Sequence, residues 1–215
     1  MRKVTLVTVL AFLVFSGGSV FAQNWNSFSP SVANSKVIIN GGIGFGMLDT
    51  GYELGIPPIS VSADFKLPMD LPITLGPIVA LSSRTFSFSS TIPGTPAIPG
   101  YPPYTPDIPA TPAKTYGYEF TYTNFAIGAR GMWHFNFSKS MDVYTGLTLG
   151  YVVSSADAKY TGDWAGAKTA ALDLSYFLFG FNVGARYFFT DSLGAYAELG
   201  YSGLQFFGLG LSLKI

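Results

Sequence analysis

The amino-acid sequence predicts an all-β chain that folds into an eight-stranded antiparallel up-and-down transmembrane β-barrel. Three observations lead to this prediction. Hydrophobic residues make up 48% of the chain, yet after residue 22 no apolar run is long enough for a spanning helix, which needs about 20 residues. Apolar and polar residues alternate along several segments, and the links between those segments alternate between short and long.

The first 22 residues have the layout of a cleaved secretory signal peptide. Two basic residues precede an apolar run at residues 4–15, and small residues lead to a cleavage position after Ala22. An uncleaved membrane anchor is the alternative, but the apolar run is short for a spanning helix. The expected divisions are a cleaved signal peptide at residues 1–22, an N-terminal periplasmic segment at 23–34 and a barrel at 35–215.

Composition excludes several classes of protein. The chain has 12 basic and 12 acidic residues, so no excess of positive charge is available to bind nucleic acid. It contains no cysteine, which removes disulfides and thiolate ligands. Because His134 is the single histidine, a multi-histidine metal site is excluded as well. We therefore expect neither a metal nor a cofactor.

Alternation with a period of two is clearest in two segments. In "NFAIGARGMWHFNF", residues 124–137, odd positions are mostly apolar and even positions are small or polar, and "FLFGFNVGARYFF", residues 177–189, divides in the same way. Successive side chains of a strand point to opposite faces, so each segment has an oily face and a polar face. The same count predicts strands at about 35–48, 56–67, 72–89, 117–137, 141–154, 171–190, 193–202 and 204–215.

The links between the predicted strands indicate a barrel with two different rims. Tight links ("PMDL", "SKS", "DS") follow the second, fourth and sixth strands, whereas longer links follow the first, third and fifth. The last link, near Ser202 and Gly203, is the exception because it is short. Outer-membrane barrels have short periplasmic turns and long extracellular loops. The longest link, a Pro-rich extracellular loop at about 91–116, has proline at every third position over much of its length. This spacing matches polyproline II, which makes no internal hydrogen bonds.

Three predicted strands, the third, fourth and sixth, exceed the roughly 9 to 11 residues that cross a bilayer, so we expect their upper ends to stand above the headgroups. A soluble exported barrel or sandwich is the alternative fold. Charged residues make up only 11% of the chain, which is few for a face in water. Aromatic residues such as Trp133, Phe135 and Phe188 cluster near the short-turn rim, which is typical of an interfacial girdle. These observations favour an outer-membrane location with both termini in the periplasm.

On these patterns, residues 35–215 resemble the small eight-stranded bacterial outer-membrane barrels of the OmpX, OmpA transmembrane-domain and OmpW types. The resemblance is closest in the last strand, "GLGLSLKI". Its Gly210, Leu213 and Ile215 occupy the places of the signal that the barrel assembly machinery reads in that family, with aliphatic residues where the family has aromatic ones. The resemblance implies an integral protein in contact with outer-membrane lipid or lipopolysaccharide.

The interior of an eight-stranded barrel is only wide enough for side chains to fill it. An unpaired charge in so narrow a lumen is costly, so we predict that Glu198 forms a buried network with Arg186 and Arg130. A wet, leaky interior is the alternative. The other polar residues expected in the lumen are Asp64, Lys66, Lys36, Arg84, Asp142 and His134.

Function is less determined than fold. His134 has Asn136 two positions on and no serine beside it, so no catalytic pair is indicated and we expect no enzyme activity. The first hypothesis is a structural or surface-interaction role, including adhesion, in which Tyr101, Tyr104 and Asp107 of the Pro-rich loop contact an extracellular ligand. A disordered loop without a partner stays open. The alternative function is a narrow channel for small or hydrophobic solutes, which a glycine-lined inner face favours.

Overall fold

A computed structural model describes residues 27–46, 52–101, 103, 107–136, 138–163 and 172–215. The predicted signal peptide and Tyr104 lie outside the described residues. No helix long and apolar enough to cross a membrane occurs in these ranges.

All regular structure in the described part of the chain is β. The strands are β1 (Val37–Phe45), β2 (Glu53–Lys66), β3 (Ile73–Ile92), β4 (Lys114–Asn136), β5 (Met141–Gly162), β6 (Leu172–Asp173), β7 (Tyr176–Phe188), β8 (Leu193–Ser202) and β9 (Gln205–Lys214). Both β6 and β7 pair with β5 in one register, so they are two parts of a single strand.

The eight strands form a closed ring. Each strand is antiparallel to its neighbours in chain order, and β1 pairs with β9 to complete the circuit. The prediction of an eight-stranded antiparallel up-and-down barrel is therefore confirmed.

The strand boundaries differ from the prediction mainly at the long-loop rim. β5 continues to Gly162 instead of residue 154, because it stays paired with β4 as far as Tyr116↔Gly162. The sixth predicted strand, at 171–190, is interrupted between β6 and β7 and ends at Phe188. The long strands therefore include the fifth as well as the third, fourth and sixth, since β6 and β7 together span residues 172–188. The end of β5 toward the long-loop rim has small and polar residues on both faces, so its sequence does not alternate there. It nevertheless stays paired with β4.

The outer surface of the ring carries a belt of apolar side chains. Six outward residues of β5 and β7 are between 48% and 68% exposed: Leu147, Leu149, Tyr151, Phe177, Phe179 and Phe181. Toward the long-loop rim the same face of β5 becomes polar at Ser155 and Asp157. An apolar outward band flanked by polar surface is the arrangement of a barrel that stands in lipid. Phe188, assigned to the girdle by sequence, points into the lumen and is 6% exposed.

The lipid belt leads to a stability prediction. A Leu147→Arg substitution places a cation in the middle of the belt and is expected to lower the free energy of unfolding by about 2–4 kcal/mol. Denaturant unfolding of the barrel in lipid vesicles measures this loss. Ser155→Arg, on the same face of β5 beyond the belt, is the matched control and should change stability little. Equal losses in the two variants would mean that the belt does not face lipid.

Candidate functional site

A network of buried ion pairs crosses the lumen toward the short-turn rim. Asp64 lies at its centre, with its Oδ1 3.2 Å from Arg130 Nε and its Oδ2 paired with Arg186 Nη2. Arg130 Nη2 also donates to Glu198 Oε1 at 2.7 Å, and Arg186 Nη1 donates to Asp142 Oδ2 at 3.1 Å. Each of the five side chains is at most 3% exposed. The network joins side chains from β2, β4, β5, β7 and β8.

Neutral side chains add hydrogen bonds to this network. The Tyr144 hydroxyl donates to Glu198 Oε1 at 2.8 Å, and the Arg186 guanidinium lies 4.1 Å from the centre of the Tyr144 ring. Asn40 Nδ2 donates to Asp64 Oδ2 at 3.0 Å. Buried charges are costly unless they are paired and hydrogen-bonded, and here both conditions are met for the carboxylates of Asp64 and Glu198.

The pairing differs in one respect from the predicted network. Glu198 pairs with Arg130, whereas Arg186 pairs with Asp64 and Asp142 and not with Glu198. The reason is the position of Tyr144, which lies between the two side chains. Its ring stacks against the Arg186 guanidinium, and its hydroxyl donates a hydrogen bond to the Glu198 carboxylate. The predicted Glu198–Arg186 contact is corrected accordingly.

Three residues expected in the lumen network lie elsewhere. Lys36 and Lys66 are exposed at the short-turn rim, where Lys66 Nζ donates to the carbonyl oxygen of Ala33 at 2.8 Å. Arg84 lies toward the other rim, with its guanidinium 4.8 Å from the ring centre of Tyr52. Alternation places all three on the inward face but does not give their height along the barrel.

His134 is held by hydrogen bonds on both sides of its ring. Nε2 lies 2.9 Å from Thr74 Oγ1, and Nδ1 lies 3.0 Å from both carboxylate oxygens of Asp142. The order of hydroxyl, imidazole and carboxylate occurs in hydrolase triads. Here the three side chains are at most 2% exposed and are packed within the lumen. The arrangement therefore serves to join β3, β4 and β5 by hydrogen bonds.

The residues that sequence analysis missed at this site are Thr74, Tyr144 and Asn40. Their even numbers place them on the inward face, which is the signal that was available. Their partners lie on strands distant in sequence, and a single chain gives no distance across the lumen. Among the described residues, no group of three or more histidines, aspartates or glutamates is placed to hold a metal ion.

Large side chains fill the spaces above the lumen glycines. A Cβ at Gly184 would lie 2.6 Å from the ring of Tyr144, and one at Gly210 would lie 2.6 Å from the ring of Tyr196. The glycines therefore provide room for neighbouring aromatic rings. The expectation that a glycine-lined inner face leaves open space is corrected for these positions.

A cavity of about 340 Å³ lies at the long-loop end of the lumen. Tyr122 and Phe206 supply aromatic walls, and Asn124 and Ser154 supply polar groups. Tyr201, another lining residue, packs on a buried apolar cluster made of Ala80, Ala126, Val152 and Leu178. This cluster separates the cavity from the charged half of the lumen.

The Pro-rich insert continues the pairing of β3 with β4. These strands pair without interruption from Ile73↔Trp133 to Ile92↔Lys114, and the bridges Thr95↔Thr111 and Ile98↔Ile108 follow in the same register. The backbone N–H of each isoleucine donates to the carbonyl oxygen of the other at 2.9 Å. The prediction of a polyproline loop without hydrogen bonds was therefore wrong. Prolines lack an N–H, so the two segments pair only once every three residues, through the residues between them.

The predicted contact residues of the insert have different environments. Tyr101 is 77% exposed, whereas the Asp107 carboxylate accepts a hydrogen bond from the backbone N–H of Gly100 at 2.7 Å. Asp107 thus stabilises the end of the hairpin by joining its two segments through this hydrogen bond. Ile98 and Ile108 are 57% and 56% exposed, so the two paired segments present apolar side chains to the outside.

Below the insert, the face of the β3–β4 hairpin that continues the lumen face carries aromatic rings. The ring centres of Phe88 and Tyr118 are 5.3 Å apart, as are those of Tyr118 and Phe120. Ser87 and Glu119 occupy the opposite face and pair with each other across the hairpin. Aromatic pairs at such distances stabilise a hairpin beyond the hydrogen bonds of its ladder.

The final strand places its predicted signal residues on two faces. Leu213 and Ile215 are 43% and 65% exposed and lie on the outward side. Gly210 faces the lumen, where Tyr196 packs over it. The assignment of Gly210 to the same outward signal is corrected, because its even position puts it on the opposite face of β9.

Comparison with known proteins gives a likeness of fold. No family model matches the chain, and no curated protein matches it. Two crystal structures of Ail, the attachment invasion locus protein of Yersinia pestis, are similar and cover 83% of this chain and 93% of that chain. One has a TM-score of 0.38 at 10% identity, and the other, in complex with the heparin analogue sucrose octasulfate, has 0.33 at 11% identity. The fold assignment rests on the strand ring of this chain, and the protein resembles the small eight-stranded outer-membrane barrels.

The network leads to a prediction for Glu198. Glu198→Ala removes the acceptor of Arg130 Nη2 and of the Tyr144 hydroxyl and is expected to cost about 3 kcal/mol, because a buried cation loses a partner. The loss is measured as a lower temperature for the heat-modifiable change in gel mobility. Asp191→Ala, at an exposed turn position, is the control. A Glu198→Ala barrel that unfolds at the wild-type temperature would show that the network does not stabilise the fold.

Proposed function

We propose that the protein is a bacterial outer-membrane barrel that acts at the cell surface through its projecting β3–β4 hairpin. The signal peptide would export the chain, the barrel assembly machinery would insert it among lipid and lipopolysaccharide, and both termini would lie in the periplasm. The supporting observation is the single register that extends from the lipid belt to Ile98↔Ile108. From Ser83, where the outward face becomes polar, to Ile98 the extended chain spans roughly 50 Å at about 3.3 Å per residue.

The end of the hairpin has the surface of a protein-binding element. Ile92, Ile98, Ile108 and Tyr101 are each at least 56% exposed. Apolar groups kept in water at an ordered position favour association with a partner. Because the proline segments are already extended and paired, little conformational entropy is lost when they bind.

The charge above the lipid belt favours a protein partner over a polyanion. Among the described residues of this region, acidic side chains outnumber basic ones: the acids are Glu53, Asp107, Glu119, Asp157, Asp163 and Asp173, and the bases are Arg84, Lys114 and Lys159. Hydrogen bonds from Ser175 lower the pKa of Asp173, so this carboxyl keeps its charge. A polyanionic ligand would be repelled by this balance of charge.

Removal of the insert tests the proposed role. Deletion of residues 92–112 is expected to abolish retention of the nanodisc-held protein on a panel of immobilised extracellular proteins, because the exposed isoleucines and tyrosine are lost. A Gly/Ser replacement of equal length is the matched control for loop length and should also abolish retention. Equal retention of the deleted and intact proteins, or no retention of the intact protein on any member of the panel, would contradict the proposal.

A narrow channel for small or hydrophobic solutes is the second candidate function. The cavity of about 340 Å³ at the outer end favours it, since a solute could enter there. The filled glycine positions and the ion-pair network oppose passage beyond the cavity.

Solute efflux distinguishes the two candidates. Proteoliposomes that hold the intact barrel are expected to release entrapped glycerol at the rate of protein-free liposomes. Heat-modifiable gel mobility checks that the barrel has formed. Faster release from folded wild-type protein would favour the channel.

A further inference from the structure

The chain ahead of β1 crosses the short-turn end of the lumen. Residues 29–34 form a turn in which the backbone N–H groups of Val32 and Ala33 both donate to the carbonyl oxygen of Ser29 at 2.9 Å. Ser29, Ser31 and Val32 are at most 5% exposed. A segment that precedes the first strand and is this deeply buried is part of the packed structure.

Hydrogen bonds join this segment to the β4–β5 turn. The Ser29 hydroxyl lies 2.8 Å from the carbonyl oxygens of Ser138 and Met141. Asn136 Nδ2 donates to Ser27 Oγ at 3.2 Å. These contacts fix one side of the segment to the rim.

Apolar packing joins the segment to the opposite strands and to the lumen network. Val32 forms a buried cluster with Ile38 of β1 and Phe188 of β7, and Phe28 packs against this cluster. The ring centre of Phe28 lies 5.5 Å from that of His134. The segment therefore covers the end of the hydrogen-bonded chain that begins at His134.

Two lysines hold the segment by its carbonyl groups. Lys66 Nζ, from β2, donates to the carbonyl oxygen of Ala33 at 2.8 Å and lies 4.4 Å from the ring centre of Phe28. Lys214 Nζ, from β9, donates to the carbonyl oxygen of Ser31 at 2.7 Å and lies 4.0 Å from the ring centre of Phe188. Each ammonium group thus combines a charged hydrogen bond with a cation–π contact.

We propose that residues 27–35 form a plug that closes the short-turn, periplasmic end of the lumen, and that Lys66 and Lys214 act as its latch. The plug shields His134 and the ion-pair network from the water at this rim. Its hydrogen bonds are made by the β4–β5 rim and by Lys66 and Lys214, whereas Phe28 contacts the hydrogen-bonded chain of the lumen through the ring of His134. Any opening of the lumen toward the periplasm requires release of the latch.

Cysteine accessibility tests the plug in the full-length protein, because the chain has no native cysteine. Val32→Cys puts a small apolar thiol at a site that is 2% exposed. In nanodiscs, a charged maleimide is expected to label this thiol about 100-fold more slowly than a thiol from Lys139→Cys, because labelling requires the plug to open. Lys139 is exposed in the adjacent turn. Equal labelling rates in the folded barrel would overturn the proposal.

The latch is tested by adding Lys66→Met and Lys214→Met to the Val32→Cys protein. Labelling is expected to become about tenfold faster, since charged hydrogen bonds are lost. Lys66→Arg with Lys214→Arg keeps the donors and should keep labelling slow. Unchanged slow labelling in the methionine variant would overturn the role of the lysines. Gel mobility verifies folding, and Ser31→Cys, at a site 5% exposed, replaces Val32→Cys if that variant does not fold.

Discussion

The carboxylate of Asp64, shared between Arg130 and Arg186, is the contact on which the arrangement of the lumen depends. Two cations from β4 and β7 meet one anion from β2, and Glu198 and Asp142 each accept a further hydrogen bond from one of the two guanidinium groups. Buried ion pairs add little net stability, because desolvation offsets their attraction. Their effect here is on register. A slip of any of these strands by one residue would turn its charge toward lipid and leave the partners unpaired.

The rest of the short-turn half of the barrel is arranged around these charges. Tyr144 links Glu198 to Arg186 and occupies the space above Gly184, so one aromatic ring serves both the network and the packing. His134 extends the hydrogen bonding from Asp142 to Thr74, and its ring packs against the ring of Phe28. These side chains are buried in the short-turn half of the ring, where an eight-stranded barrel has a narrow interior. The features available to a partner therefore lie at the other end, in the outer cavity and the projecting hairpin.

Much of the fold could be predicted from the sequence, because a period of two reports directly which face of a strand each residue occupies. The inward placement of Asp64, Arg130, Arg186 and Glu198 followed from it. Which inward residue meets which depends on position around the ring, and a single sequence does not contain that information. Arg186 was paired with Glu198 for this reason, and Thr74 was missed although its hydroxyl contacts His134.

The Pro-rich insert shows a second limit of pattern reasoning. Proline at every third position indicates an extended backbone, and that part of the interpretation agrees with the structure. Two such segments in antiparallel order still present free N–H groups between the prolines, and those of Ile98, Ile108 and Thr111 donate across the hairpin. The composition of one proline segment does not indicate that it pairs with another segment. The position of the insert between two paired strands does indicate this.

Single-channel conductance of the unmodified, full-length protein in a planar bilayer tests the central claim that the lumen is closed by its own side chains. The account predicts no stepwise current from folded barrels, because the ion-pair network and the filled glycine positions leave no continuous path for hydrated ions. Steady, reproducible conductance steps from protein whose folding has been verified would contradict it, and would show that the charged half of the lumen is open to water.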